Sequence, residues 1–264
     1  MSNNQYLFIV GTPRSGTTYA QSLLATSVNV HTAPETHFFT KAWPSHGCKA
    51  KLGALWTYIY CTKWLKTNKY PWYITPALKR NRIADSFFQC VYGKNNRNCV
   101  LLEKTPAHLN EVSKIQRCFP NAKFIHVTRG FTNNVSSLVK AEKQWGGEAN
   151  IYQVSARWMT ERFKTYSYLL HSPERHTLVC YEDLIKNPKS SLEAALESIS
   201  VEVDINPSEA HEAAKNVISK GESWKNNNTK EKPRLKNTSI NDLDCSGVIE
   251  KALGMLKRDL DDVK

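Results

Sequence analysis

No apolar run in this chain of 264 residues approaches the length of a membrane span. The opening Met1-Ser2-Asn3-Asn4-Gln5 has neither the basic n-region nor the apolar h-region of a secretory leader, and the expectation is a cytoplasmic protein. The seven cysteines are odd in number and none forms a C-x-x-C pair, which favours free, mostly buried thiols in a reducing compartment over disulfides or zinc. On that footing the sequons at Asn134, Asn227 and Asn237 read as chance matches. No histidine–carboxylate grouping has ligand spacing, so no metal is expected. Internal repeats and low-complexity tracts are absent. Acidic residues are in short supply, 24 against 36 lysines and arginines, for a net charge of +12. Such a surface attracts nucleic acid, anionic membranes or anionic small molecules, and composition does not choose among them. The chain has no basic helix or known nucleic-acid module, and no nucleic-acid partner is expected.

What is present is organised around Gly11-Thr12-Pro13-Arg14-Ser15-Gly16-Thr17-Thr18. The apolar run Tyr6–Val10 before it reads as a buried strand, and Tyr19, Leu23 and Leu24 after it recur at helical spacing. A glycine-containing loop between strand and helix offers backbone N–H groups and a helix N-terminus to a phosphate. The Gly-x-x-x-x-Gly spacing is that of an ATP or GTP loop, but Thr17 stands where a nucleoside triphosphatase needs lysine. The positive charge lies inside the turn instead, at Arg14.

Along the rest of the chain, residues 28–39 bring the backbone back over the sheet. Residues of about 40–98, with Trp43, Trp56, Trp64 and Trp72, read as a helical insertion whose tryptophans either pack the core or line an acceptor pocket. Strands are expected at Cys99–Glu103, Lys123–Thr128 and Thr177–Tyr181, with a helix ending near Phe119, one carrying Val135, Leu138 and Val139, a long one over about 151–171, and another reaching Ile199. The reading is α/β: one domain over 1–264 with a central parallel sheet and helices on both faces. Residues of about 215–236 are polar and lysine-rich and read as a functional lid or a disordered loop; Val248, Leu253, Leu256 and Leu260 mark a C-terminal helix. Each polar cluster follows a strand end, where ligands of parallel sheets bind.

The octapeptide, together with Phe124-Ile-His-Val-Thr-Arg129 and Ser137 eight residues on, resembles the signatures of sulfotransferases that use 3′-phosphoadenosine 5′-phosphosulfate (PAPS). The resemblance extends through Asn121–Ile125 and Tyr181–Pro188, and it implies the P-loop-NTPase-like sulfotransferase fold. It also implies a cofactor site at Arg14, Ser15, Gly16, Thr17 and Thr18, with Arg129 and Ser137 on the 3′-phosphate and Tyr181 near the adenine. An Arg fork at a strand end suits a phosphate, and a hydroxyl on the next helix adds a donor. Tyr181 reads equally well as a strand-end core side chain. Glu103-Lys104-Thr105-Pro106 resembles the segment that supplies a lysine to the sulfuryl group, which makes Lys104 and Arg14 candidates for charge stabilisation. In the cytosolic branch a catalytic histidine stands two residues after that lysine; here that residue is Pro106, and the nearest histidine is His108. In tyrosylprotein sulfotransferases and some bacterial relatives a glutamate followed by threonine lies twenty-one residues after the loop arginine, the separation of Arg14 from Glu35-Thr36. Glu35 is therefore the candidate general base. Lys220-Gly221 resembles, loosely, the family's cofactor-covering loop.

The resemblance implies transfer of a sulfuryl group from PAPS to an acceptor hydroxyl, leaving 3′-phosphoadenosine 5′-phosphate. The acceptor's identity and the oligomeric state are open. The rivals are a P-loop kinase, which lacks its Walker lysine and magnesium-binding Asp here, and a catalytically silent phosphonucleotide- or nucleic-acid-binding module resting on the net charge.

Overall fold

Alternation along the first strand decides the layers. Leu7 and Ile9 of β1 (Gln5–Val10) enter one apolar cluster, and Phe8 and Val10 enter another. Successive strand side chains point to opposite faces, so a strand apolar at every position must be covered twice. The same division recurs in β3 (Val100–Lys104), where Val100 and Leu102 oppose Leu101, and in β4 (Lys123–Thr128), where Ile125 and Val127 oppose Phe124.

The computed structural model describes residues 5–44, 47–71, 74, 76–92, 99–148 and 150–218. Its five strands form one parallel sheet in the order β2-β3-β1-β4-β5, with β2 at Val30–Thr32 and β5 at His176–Cys180. One face is covered by α1 (Thr17–Leu24), α8 (Tyr181–Lys186), α9 (Pro188–Ser198) and α10 (Ala210–Val217). The other carries the aromatic cluster built from α3 (Gly53–Thr67), α4 (Arg80–Tyr92) and α5 (Val112–Cys118). There Phe8, Phe38, Phe39, Phe87, Phe88 and Phe124 are fully buried. A smaller cluster joins α6 (Phe131–Gln144) to the long α7 (Ile151–His171) through Val135, Leu138 and Val154. A short α2 (Gly47–Lys51) precedes α3.

The α/β class, the parallel sheet, the helical insertion and the span of α7 agree with the sequence reading. Four details differ. Residues 28–39 contain an edge strand, β2, and then a π-helical turn at Phe38–Ala42. The chain after β3 begins with a 3-10 turn at Pro106–Glu111 before α5. Tyr181 is the first residue of α8 rather than the last of β5, since a six-residue helix starts without a connecting turn. Lys215 belongs to α10, so the polar segment expected from 215 starts in a helix; Lys220, Gly221, the remainder of the expected lid and the expected C-terminal helix lie outside the described residues.

β1 lies between β3 and β4. The chain leaves it toward β2 and β3 on one side, then crosses to β4 and β5 on the other. That reversal opens a crevice at the carboxyl end of β1, where a parallel sheet receives its ligand.

Candidate active site

The loop leaving β1 turns tightly under two constraints. A Cβ at Gly11 would fall 2.3 Å from the Val127 carbonyl oxygen, and one at Gly16 would fall 2.2 Å from Tyr181 Cδ2. Gly16 also adopts φ 102°, a left-handed conformation that L side chains rarely tolerate. Arg14 adopts φ 70° without being glycine, a local strain of the kind that gathers at ligand sites. Beyond the turn, the first N–H groups of α1 have no intrahelical partner. Neither a side-chain cap nor an acidic residue occupies that N-terminus.

The β4–α6 unit closes the loop from the other side. Arg14 Nε donates to Ser137 Oγ at 3.4 Å, Arg129 Nη1 donates to the Arg14 carbonyl at 3.4 Å, and Asn134 Nδ2 donates to the Pro13 carbonyl at 3.5 Å. The Arg129 guanidinium lies 4.6 Å over the Tyr181 ring. Burial, and next the neighbouring Arg129 charge, hold the Arg14 pKa below its usual value. Two guanidinium groups close enough to perturb one another, lining one cavity with the N-terminus of α1, make a site suited to an anion. Buried Ser15 Oγ and Arg129 Nε have no hydrogen-bond partner among the described residues, and both belong to this cradle. The residue types and these orphaned donors fit a ligand carrying phosphate groups.

Across the crevice, at the end of β3, stands a second arrangement. Lys104 Nζ donates to Glu35 Oε1 at 2.6 Å and to Thr18 Oγ1 at 3.4 Å. Its side chain is 1% exposed, and that of Glu35 is 10% exposed. His37 Nε2 lies 3.5 Å from Glu35 Oε2. Burial drives the His37 pKa down to about 4 against the opposing pull of Glu35, so its ring is neutral at neutral pH.

A buried carboxylate fixes this geometry from beneath. Glu103, pointing to the opposite face from Lys104, accepts from Thr36 Oγ1 and Thr105 Oγ1 at 2.8 Å each and from the Thr36 N–H at 3.4 Å. It also meets His108 Nδ1 at 2.9 Å. Burial favours its neutral acid, but the His108 ring and these hydrogen bonds outweigh burial, and its pKa lies below the ordinary value. The Phe39 N–H donates to His108 Nε2 at 3.2 Å, so the proton resides on Nδ1 and points at Glu103. The insertion adds its own grip: Trp64 Nε1 donates to the Glu35 carbonyl at 3.1 Å, Tyr60 Oη to the Thr36 carbonyl at 3.1 Å, and Trp56 Nε1 to the Lys41 carbonyl at 2.9 Å.

Arg14, Gly16, Thr17, Thr18, Glu35, Arg129, Ser137 and Tyr181 line one cavity of about 670 Å³. Lys104 reaches its wall from below through Glu35 and Thr18, and Ser15 lies buried within the loop. Thr36 turns away from Glu35 toward Glu103, whereas His37 faces Glu35. His108 is wholly buried with both ring nitrogens engaged. Sequence reasoning missed the Glu103 hub, although strand alternation places Glu103 and Lys104 on opposite faces. It also missed Lys41, Gln144 and Trp145, which line the same cavity.

A parallel sheet whose central strand feeds a Walker-lysine-free glycine loop carrying Arg14, with Arg129 entering from the β4–α6 unit, defines a P-loop-like fold. Residues 6–205 match the model of the sulfotransferase family, and the chain belongs to that family. Protein-tyrosine sulfotransferase 2 of Gallus gallus is 24% identical over 203 residues, covering 74% of this chain and 51% of the relative. The chain spans about half the length of the curated relatives it matches. Among solved structures, the sulfotransferase domain from the curacin biosynthetic pathway superposes with a TM-score of 0.54 at 19% identity, covering 97% of this chain and 99% of that one. The sulfotransferase domain of the Synechococcus PCC 7002 olefin synthase gives 0.51 at 20% identity, covering 79% and 76%. These likenesses establish the fold.

Proposed function

We propose that the protein transfers a sulfuryl group from PAPS to an acceptor hydroxyl, with Glu35 as general base. The observation that carries the reading is the meeting in one cavity of an anion cradle at Arg14, Arg129 and Ser137 with the Lys104–Glu35 pair. The first suits phosphates and the second suits proton removal beside a developing negative charge.

PAPS, when bound, supplies an activated sulfuryl group on a phosphate leaving group. Arg129 and Ser137 would hold its 3′-phosphate, with Tyr181 near the adenine as the resemblance suggests. The α1 N-terminus, with Ser15, Gly16, Thr17 and Thr18, would hold the 5′-phosphate. Arg14 and Lys104 would present fixed positive charge to the leaving phosphate, and charge already in place needs little reorganisation during the reaction. Glu35 is partly exposed to the cavity and accepts the proton of the attacking hydroxyl at a carboxylate oxygen. His37, neutral and 3.5 Å away, adds no positive charge that would weaken that base. Lys104 must share itself between Glu35 and the transferring group, which couples the base to the presence of the donor.

Incubation with sulfur-labelled PAPS and a panel of hydroxyl acceptors tests the reading, with label transfer as the readout. Transfer in the wild type and its loss in Arg14→Ala are expected. Absence of any transfer, together with stronger thermal stabilisation by ATP and Mg²⁺ than by 3′-phosphoadenosine 5′-phosphate, would overturn it.

A further inference from the structure

The charge of the chain is unevenly distributed. Between Thr36 and Ala84 there are nine lysines and arginines and no aspartate or glutamate, although the chain holds 24 acidic residues in all. Most of the net +12 therefore resides on the insertion. A basic segment with no acidic residue interspersed differs from an ordinary solvated stretch, where both signs mix.

The same segment exposes aliphatic side chains in a row. The inner face of α3 buries Thr57, Cys61, Trp64 and Leu65. Its outer face presents Leu55 and Ile59 at 59% and 47% exposure, and Leu52 precedes them at 51%. Residues 52, 55 and 59 fall on one side of a helix, since three or four residues make a turn. Exposed Lys51 lies at one end of this row, and exposed Lys63 and Lys66 continue it on the same face at the other. A helix with an outward aliphatic patch bracketed by lysines is the pattern of a segment lying in a bilayer interface.

We infer that the outer face of α3, with Leu52, Leu55 and Ile59 entering the headgroup region and the flanking lysines meeting anionic lipid, docks this protein on an anionic bilayer surface. A polyanion such as RNA would answer the lysines but leave the aliphatic row in water; a bilayer satisfies both. Trp56 on this helix donates to the carbonyl of Lys41, which lines the cavity, so the docking helix is tied to the cavity wall. The inference does not depend on the reaction proposed above.

Flotation of the full chain with vesicles tests it. Retention is expected on phosphatidylcholine mixed with phosphatidylglycerol and not on phosphatidylcholine alone. Lys63→Gln/Lys66→Gln should weaken retention about 25-fold, at roughly fivefold per lysine near an anionic surface. Leu55→Ser/Ile59→Ser should weaken it by about tenfold through lost apolar burial, with an unchanged melting temperature because both side chains face outward. No retention on the mixed vesicles overturns the inference. So does retention that falls with the lysine variant but ignores the serine variant, which would mark a partner read by charge alone. Should the serine variant fail to fold, quenching of wild-type tryptophan fluorescence by lipids brominated on the acyl chain decides: quenching supports insertion, and its absence overturns it.

Discussion

Lys104 Nζ sits 2.6 Å from Glu35 Oε1, joining the end of β3 to the segment that follows β2, with both side chains nearly withdrawn from solvent. Removing one member of a buried pair leaves the other's charge uncompensated, at a cost of about 3–5 kcal/mol. Lys104→Met should therefore lower the unfolding free energy by about 3 kcal/mol. Glu35→Gln should lower it less, because the carboxamide oxygen still accepts from the ammonium. The double variant should regain part of the loss. Urea unfolding of the four proteins measures the coupling, and strictly additive effects would show that the two side chains are energetically independent.

The two arginines of the cradle make a different prediction, because they repel each other until an anion arrives. Arg129→Ala removes a charge-assisted contact to phosphate and should raise the dissociation constant for 3′-phosphoadenosine 5′-phosphate by about 10–100-fold. The ligand-free protein should lose little stability, since relief of the like charge beside Arg14 offsets the lost contacts of Arg129 with the Arg14 carbonyl and the Tyr181 ring. Titration calorimetry and a thermal melt without ligand check the two halves. Unchanged affinity would place the phosphate elsewhere.

Away from the cavity, His126 Nε2 and His176 Nδ1 share a 2.9 Å hydrogen bond inside the protein. Burial, and for His126 the adjacent His176 ring, lowers their pKa values from 6.5 to about 3 and about 4. The folded state thus favours neutral imidazoles, and the unfolded chain binds more protons in acid. Stability is fully present above pH 6.5 and is lost as the pH falls toward 4. Each ring should contribute about 2 kcal/mol of loss between pH 7.5 and pH 5. His176→Gln keeps a polar partner for His126 while deleting one titrating site, and it should flatten the fall in urea-derived stability by about that amount. An unchanged pH profile would show that His176 does not titrate with unfolding.

Buried parallel strands are legible because they are apolar runs ended by turn residues, and β1, β3, β4 and β5 lie within a residue of their expected bounds. β2 was not legible: three residues, Val30–Thr32, carry no run, and the strand exists because it pairs with β3. The helix beginning at Tyr181 was hidden because nothing polar or glycine-like separates it from β5. In the site, the spacing of Arg14, Glu35, Arg129 and Ser137 was sufficient to bring them to one cavity, since motifs at strand ends must converge. The Glu103 hub was not readable, because Thr36 is 67 residues away from it and only the folded chain brings the two together. The indole bonds from Trp64 to the Glu35 carbonyl and from Trp56 to the Lys41 carbonyl were hidden for the same reason.

That hub permits a test that separates positioning Glu35 from the role proposed for Glu35 itself. Glu103→Gln keeps the shape but exchanges one acceptor oxygen for a donor, so either the Thr36 and Thr105 hydroxyls or the His108 Nδ1–H loses its acceptor, which loosens the strut under Glu35. Turnover should fall by about tenfold, in the range that a misplaced group costs, with affinity for 3′-phosphoadenosine 5′-phosphate retained because no cradle residue touches Glu103.

The last prediction is the choice of base itself. Glu35 borders the cavity, whereas His108 is buried, with one ring nitrogen facing Glu103 and the other accepting from the Phe39 N–H. A base needs an unshared pair within reach of the acceptor's proton, and of these two Glu35 alone borders the cavity. Glu35→Gln removes proton-accepting capacity while leaving the shape, so turnover should fall by roughly two to four orders of magnitude at near-normal donor affinity. His37→Ala deletes a neutral neighbour and should cost far less. His108→Asn should act mainly on stability, because the side chain serves Glu103 rather than the cavity. Single-turnover kinetics with saturating PAPS, alongside donor affinities, distinguish these effects. Near-normal turnover in Glu35→Gln with loss of turnover in a folded His108→Asn would transfer the base to the histidine and require the segment at Phe39 to open during the reaction.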